Sequence, residues 1–213
     1  MDIDNKYGTL EVQMSLLELL KEFHSFCVQN GIKYSLCYGS LIGAIRHKGF
    51  IPWDDDVDII VSRDEFVKLK SLICNSRFSW DYQSETALWV ARIGLENLVL
   101  ENGHRPVIDV LILDNVPQSK VISNIKLYSI LMLQGMVKTK PPVSGMSLIM
   151  KILSIGCWGI GRLFKKRWIY NIYDKIAQIG NGNNTDYLQS YNTIFPYRKH
   201  QVKRDVISSY SIV

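Results

Sequence analysis

The sequence predicts an α/β protein, a mixed sheet flanked by helices, followed by a helical, basic C-terminal region. Three observations predict it. Leu10 to Asn30 carries apolar residues at helical spacing, Val12, Leu16, Leu19, Phe23 and Phe26, with Glu11, Glu18 and Glu22 between them. Two β-branched runs, Val57 to Val61 and Val107 to Leu113, are of the kind that fill a covered sheet. Between the runs, Ser62 followed by Glu65 forms a capping box for a helix to about Cys74, with Phe66, Leu69 and Ile73 facing inward.

In chain order, Gly31 stops the first helix and Ile32 to Cys37 makes a short strand that delivers the chain to Gly39-Ser40. Leu41 to His47 reads as a small helix ended by Gly49. Phe50-Ile51-Pro52-Trp53 is apolar but irregular, because proline removes a donor and biases Ile51 toward an extended shape, so a buried bend is expected. Strands follow at Leu88 to Ile93, Leu98 to Glu101 and Val107 to Leu113. Ser123 to Met136 is a further helix, and Lys138-Thr139-Lys140-Pro141-Pro142 marks a boundary, dividing the chain into 1–137 and 138–213. Met146 to Ile160 is apolar but interrupted by Lys151, Gly156 and Gly159, and Arg162, Lys165, Lys166 and Arg167 follow it. Three readings of it stay open: a core helix, a membrane-interface helix or a short span. Tyr170 to Ile179 continues as helix. The segment 185–213 is aromatic and basic, with Arg198-Lys199-His200 and Lys203-Arg204 as phosphate contacts or a solvated face.

The 213 residues suffice for one good core or for a domain with an appendage, and the composition points neither to disorder nor to a fibrous repeat. Cys27, Cys37, Cys74 and Cys157 lack metal-type spacing, and no signal peptide is recognised ahead of them, so free thiols in a reducing, cytoplasmic compartment are expected. The four histidines are dispersed, which argues against zinc; His47 alone lies among the chemistry-bearing residues. Residues 1–137 hold 13 Lys/Arg and 17 Asp/Glu, a balance of −4, while 138–213 hold 12 and 3, a balance of +9. Such a basic half suits an anionic partner, a membrane surface or lipid phosphate, and no nucleic-acid motif accompanies it.

The chemistry is concentrated between Tyr38 and Val61. A Gly39-Ser40 turn opens a short helix, where free N–H groups and the positive end of the helix dipole can hold phosphate. The acidic run Asp54-Asp55-Asp56-Val57-Asp58 then enters a strand, on which Asp54, Asp56 and Asp58 share a face. Carboxylates two residues apart on a strand repel by about 2.5 kcal/mol at an effective dielectric of about 20, so a cation is expected beside them; a solvated capping turn is the competing reading. Asp109 stands alone in the apolar run Val107 to Leu113 and needs a partner. A metal shared with Asp56 and Asp58 would supply one, as would a nearby lysine or backbone amide. Trp53 stacks on a base or packs, and Arg92 binds phosphate or lies at the surface.

A Gly-Ser turn followed by Asp-x-Asp on the next strand is a nucleotidyltransferase-type arrangement. Gly39-Ser40-Leu41-Ile42-Gly43-Ala44, Arg46-His47 and Gly49-Phe50-Ile51-Pro52-Trp53-Asp54-Asp55-Asp56-Val57-Asp58 together resemble the signature of the LicD family of phosphotransferases, which includes fukutin-related proteins. The resemblance is dense from about Ile32 to Asp114, and it also places Asp109, Asp114 and the basic Arg92. It implies a nucleotidyltransferase-like fold with Asp56, Asp58 and Asp109 as catalytic residues around Mg²⁺ or Mn²⁺, and Gly39, Ser40, Arg46, Arg92 and Trp53 on the substrate. The implied reaction moves a phosphocholine or alditol phosphate group from a CDP-linked donor to a sugar of a cell-surface glycan or lipopolysaccharide, at the inner face of a membrane. An enzyme acting on an NTP with release of pyrophosphate, or an inactive membrane-bound scaffold, would share parts of the pattern. The family's C-terminal Tyr-Leu…Tyr-Gly-Asp-type motif has no counterpart before Val213, so an incomplete C-terminal part or a short relative is expected.

Overall fold

The alternation in Val57 to Ser62 sends Val57, Ile59 and Val61 to one side of a strand and Asp58 and Ile60 to the other, and one-sided burial of this kind dictates which face receives helices. The computed structural model describes residues 7–81, 90–96, 98–141, 145, 147–182, 185–192 and 201–204. It forms two compact units; the described residues of one run to Asp81 and resume at Val90–Ile112, and those of the other begin at Leu113. The division falls inside a strand, earlier than the 137/138 boundary that composition suggests.

In the first unit, α1 (Leu10–Gln29), β1 (Ser35–Leu36), α2 (Tyr38–Ile42), a π-helical turn (Gly43–His47), β2 (Val57–Ser62), α3 (Arg63–Ile73), β3 (Phe78–Asp81) and β4 (Ala91–Leu95) precede β5 (Ile108–Asn115). The sheet is mixed, as expected, with strand order β1-β2-β5-β4-β3. Val12, Leu16, Leu19, Phe23 and Cys27 of α1 and Phe66, Leu69 and Ile73 of α3 close over Val57, Ile59, Val61, Ile93, Ile108, Val110 and Ile112. Each such side chain stabilises the unit by about 1.5–3 kcal/mol on burial. Gly31 ends α1 with φ +64, and the Ser62 hydroxyl accepts from the Glu65 N–H to cap α3. The Glu65 carboxylate reaches the Lys33 N–H at 3.1 Å, tying the α1 exit to the α3 entry.

The second unit contains α4 (Lys120–Val137), α5 (Leu148–Gly161), α6 (Lys166–Ala177), β6 (Tyr187–Ser190) and β7 (Val202–Lys203). Ile130, Leu133 and Val137 of α4 pack with Ile169, Tyr173 and Ala177 of α6 and with Tyr191. Lys126 is buried here, donating to the carbonyls of Asn115 and Ile179 with its ammonium 4.0 Å from the Tyr191 ring centroid. Arg204 donates to the Thr185 carbonyl, an internal contact for one of the expected surface cations. Arg198-Lys199-His200 lies outside the described residues.

Several expectations are corrected. Leu98 to Glu101 is no strand but a turn, closed by Leu100 N–H to His104 O at 2.8 Å. Ile32 to Cys37 pairs only at Ser35-Leu36, where β2 offers partners. The strand expected at Leu88 to Ile93 is Ala91–Leu95, with Leu88 and Trp89 outside the described residues. β3, β6 and β7 were not expected. The bend at Phe50 to Trp53 is not buried: Trp53 is 62% exposed, its ring edge-on to Tyr7. Nor is α5 a core helix, since Gly161 is the only one of its residues that is fully buried. No helix among the described residues is long and apolar enough to cross a membrane.

Candidate active site

Asp58 lies on the face of β2 opposite the core, and its peptide is gripped from both sides. The Cys37 N–H donates to the Asp58 carbonyl at 3.1 Å, and the Asp58 N–H donates to the Ser40 hydroxyl at 2.8 Å. Ser40 is itself buried, so this bond fixes the turn against the strand. Two glycines let the chain fold that tightly. A Cβ on Gly39 would meet Asp54 Oδ2 at 2.6 Å, and one on Gly43 would meet the Gly49 carbonyl at 2.6 Å. Tyr38 pays a local cost, with φ +45 in the left-handed region, about 1 kcal/mol for a residue with a side chain.

The acidic run is anchored from α1. Gln13 Nε2 donates to the carbonyls of Ile51 at 3.0 Å and Asp54 at 2.7 Å, and the Thr9 hydroxyl donates to Pro52 O at 2.8 Å. The Asp54 N–H closes the bend on Ile51 O at 2.9 Å. Burial raises both the Asp54 and Asp56 carboxyls; a hydrogen bond between the two side chains adds to the rise at Asp54 and opposes it at Asp56.

Asp109 enters from β5, the neighbour of β2, and stands in register opposite Arg92 of β4. Facing residues on an antiparallel pair share a side of the sheet, so the two charges meet. Arg92 Nε lies 2.7 Å from Asp109 Oδ1, and Nη2 donates to Oδ2 at 3.2 Å. The shorter contact is an ion pair by distance but lacks hydrogen-bond alignment, so the buried Oδ1 retains an unfilled acceptor direction. The partner that Asp109 requires is therefore an arginine, in place of the lysine or backbone amide weighed from the sequence.

Burial pushes the Asp58 carboxyl up from 3.8 to about 7, helped by the negative charges of Asp56, Asp109 and Asp54, while Arg92 pulls it down. Burial also raises Asp56, Asp109 and Asp54; Asp55 pushes Asp56 the same way, and Arg92 opposes the rise at Asp56 and Asp109. The nearby Cys37 thiol and Tyr38 phenol rise as well, first through burial; Asp58 contributes to both. Four carboxyl groups thus form one mutually repelling field with Arg92 as its counter-charge. Among the described residues, no three His, Cys, Asp or Glu side chains are drawn together as a finished metal cage. Mg²⁺ takes one or two protein carboxylates and completes its shell with water and substrate phosphate. An all-oxygen donor set and the unfilled Oδ1 of Asp109 are what such a hard cation suits.

Of the residues singled out from sequence, Arg92 contacts Asp109, Ser40 holds the Asp58 N–H and Gly39 lies against Asp54, while Asp56, Asp58 and Asp109 are near enough for their charges to act on one another without forming a three-ligand cluster. Arg46 and Trp53 do not join them through any contact among the described residues; both are exposed on the connecting segment. Gln13, Tyr38 and Asp54 belong to the site's framework. Only Asp54 carried a sequence signal, through its alternation with Asp56 and Asp58.

Residues 31–131 match the family model described as LicD/FKTN/FKRP, nucleotidyltransferase domain. A stretch of 56 residues, 26% of the chain, is 57% identical to the lipopolysaccharide cholinephosphotransferase LicD of Haemophilus influenzae and covers 21% of that protein. A stretch of 60 residues, 28% of the chain, is 40% identical to an uncharacterized protein of Rickettsia prowazekii and covers 23% of it. The chain thus spans about a fifth of the length of these curated relatives. Over residues 31–131, just under half of its length, the chain is similar to the nucleotidyltransferase domain of the LicD/FKTN/FKRP family.

Proposed function

We propose that the protein is a divalent-metal-dependent phosphotransferase that moves a phosphocholine-type group from a CDP-linked donor to a sugar hydroxyl of a lipopolysaccharide or related surface glycan. The observation that carries this reading is the crowding of carboxylates around Asp58, with the Gly39-Ser40 turn fastened to the same residue through the Ser40 hydroxyl. The identity shared with a lipopolysaccharide cholinephosphotransferase supports the substrate class.

Asp56 and Asp58 would hold Mg²⁺ or Mn²⁺, with Asp109 beside them. When bound, the ion supplies charge neutralisation at the donor diphosphate. Arg92 donates to Asp109 through Nη2, with Nε ion-paired beside it, and has further N–H groups to offer a phosphate oxygen. As the acceptor hydroxyl oxygen bonds to phosphorus, the bond from phosphorus to the departing CMP oxygen breaks. The hydroxyl proton passes to a carboxylate, for which Asp109, held by Arg92, is the assigned acceptor. Ser40 and Gly39 position the turn; in this reading Arg46 would meet the donor phosphate and Trp53 its base.

The test is incubation of the purified chain with CDP-choline, other CDP-linked donors and NTPs, with Mg²⁺, with Mn²⁺ or with chelator. CMP released only with metal and a CDP-linked donor supports the reading. Pyrophosphate from an NTP would instead indicate a nucleotidyltransferase, and a folded protein that releases neither nucleotide product nor binds Mg²⁺ calorimetrically would indicate a scaffold.

A further inference from the structure

α5 is built inside out. In a helix packed on a water-soluble unit, large aliphatic side chains face the neighbour and small or polar ones face water. Here the packed side holds Ser154, Cys157, Trp158 and Gly161, while Leu148, Ile149, Ile152, Leu153, Ile160 and Leu163 of α5 and its exit are exposed, from 53% to 79%. The small residues bring α5 close to α4: a Cβ on Gly161 would collide with the Met136 carbonyl, and one on Gly135 would touch Cys157 Cβ at 3.4 Å. Close approach through small residues, with aliphatics outward, is how helices pack when the outer medium is apolar.

Charge identifies that medium. Residues 138–173 hold seven Lys/Arg and no Asp or Glu. Lys165 and Arg167 are exposed just past the helix, and Phe164 and Trp168 stack at 4.7 Å beside them, aromatic rings at the place an interface favours. With 14 residues, α5 is about 21 Å long, short of the roughly 30 Å of a bilayer core. We infer that the outer face of α5 lies in the headgroup boundary of an anionic lipid bilayer, with Lys165 and Arg167 on lipid phosphates and Ile149, Ile152 and Leu153 among the acyl chains.

The test is flotation of the full chain with vesicles of phosphatidylcholine alone and with vesicles containing phosphatidylglycerol. It uses no donor or acceptor, so a failure of phosphotransfer leaves it standing. Capture is expected on the anionic vesicles, at least about tenfold above the neutral ones and weakened by salt. Ile152→Glu with Leu153→Glu, both at exposed positions, should cut the bound fraction about tenfold or more with an unchanged circular dichroism spectrum. Lys165→Gln with Arg167→Gln provides a second pair that leaves the apolar face intact and should reduce anionic binding about fivefold per charge. Absence of capture, equal capture on both vesicles, or a dimer in sedimentation that the Glu pair dissociates without any vesicle binding would overturn the inference.

Discussion

Asp58→Asn is expected to make the protein more stable and inactive at once. In the folded chain the Asp58 carboxyl keeps its proton up to about pH 7, while in the unfolded chain it ionises near 3.8. Between those values the folded state binds the extra proton, so stability falls as pH rises, and the loss is complete above about 7. The full displacement corresponds to about 4 kcal/mol, and water reaching a half-buried side chain reduces this to roughly 2 kcal/mol. Asparagine has the same shape and never ionises. At pH 8 the variant should therefore exceed the wild type by roughly 2 kcal/mol, a rise of about 4–8 °C in melting temperature for a chain of this size. At pH 4 the gap should close. Urea denaturation of both proteins at pH 4, 6 and 8 measures this, with Mg²⁺ expected to stabilise the wild type and not the variant. CMP release from CDP-choline, followed alongside, should disappear. A variant that is less stable at pH 8, or a gap independent of pH, refutes the account of crowded carboxylates.

Arg92→Met strips the counter-charge from a carboxylate that is 11% exposed and should cost about 3 kcal/mol, with most of it recovered on adding Asp109→Leu; thermal melts of the single and double variants decide this. Ser40→Ala leaves the Asp58 N–H without its acceptor and should cost about 1 kcal/mol by urea denaturation. Gly39→Ala drives a methyl against Asp54 Oδ2 and should weaken Mg²⁺ binding in calorimetry while the melting temperature shifts little, because a side-chain oxygen can swing away. Gln13→Ala frees the carbonyls of Ile51 and Asp54 and should lower kcat more than it raises KM, since it touches the position of the acids and none of the bound groups.

The first unit was readable where local chemistry decides. Helices α1 and α3 follow from periodicity, a left-handed glycine and a serine cap, and β2 from alternation that also sorts Asp58 from Val57. What could not be read depends on register between distant segments. Arg92 and Asp109 each look stranded in an apolar run until β4 and β5 are aligned, and only then become a pair. Phe78 to Asp81 has too short a pattern to announce a strand; its pairing with β4 creates one. For α5 three readings stay open in the sequence because an apolar run broken by Lys151 and two glycines suits each of them, and that Gly161 and Cys157 meet α4 while most aliphatics face outward is set by tertiary packing.

Holding one residue by both its N–H and its C=O has a consequence for heredity. Hydrophobic alternation alone would let β2 slide by a residue only at the expense of turning valine outward, but the Cys37 and Ser40 contacts make that slide break two more bonds. Length changes between Ser40 and Asp58 must therefore bulge into solvent and leave the frame of the strand untouched. Variation among descendants should accumulate at the tip of that loop and spare its base.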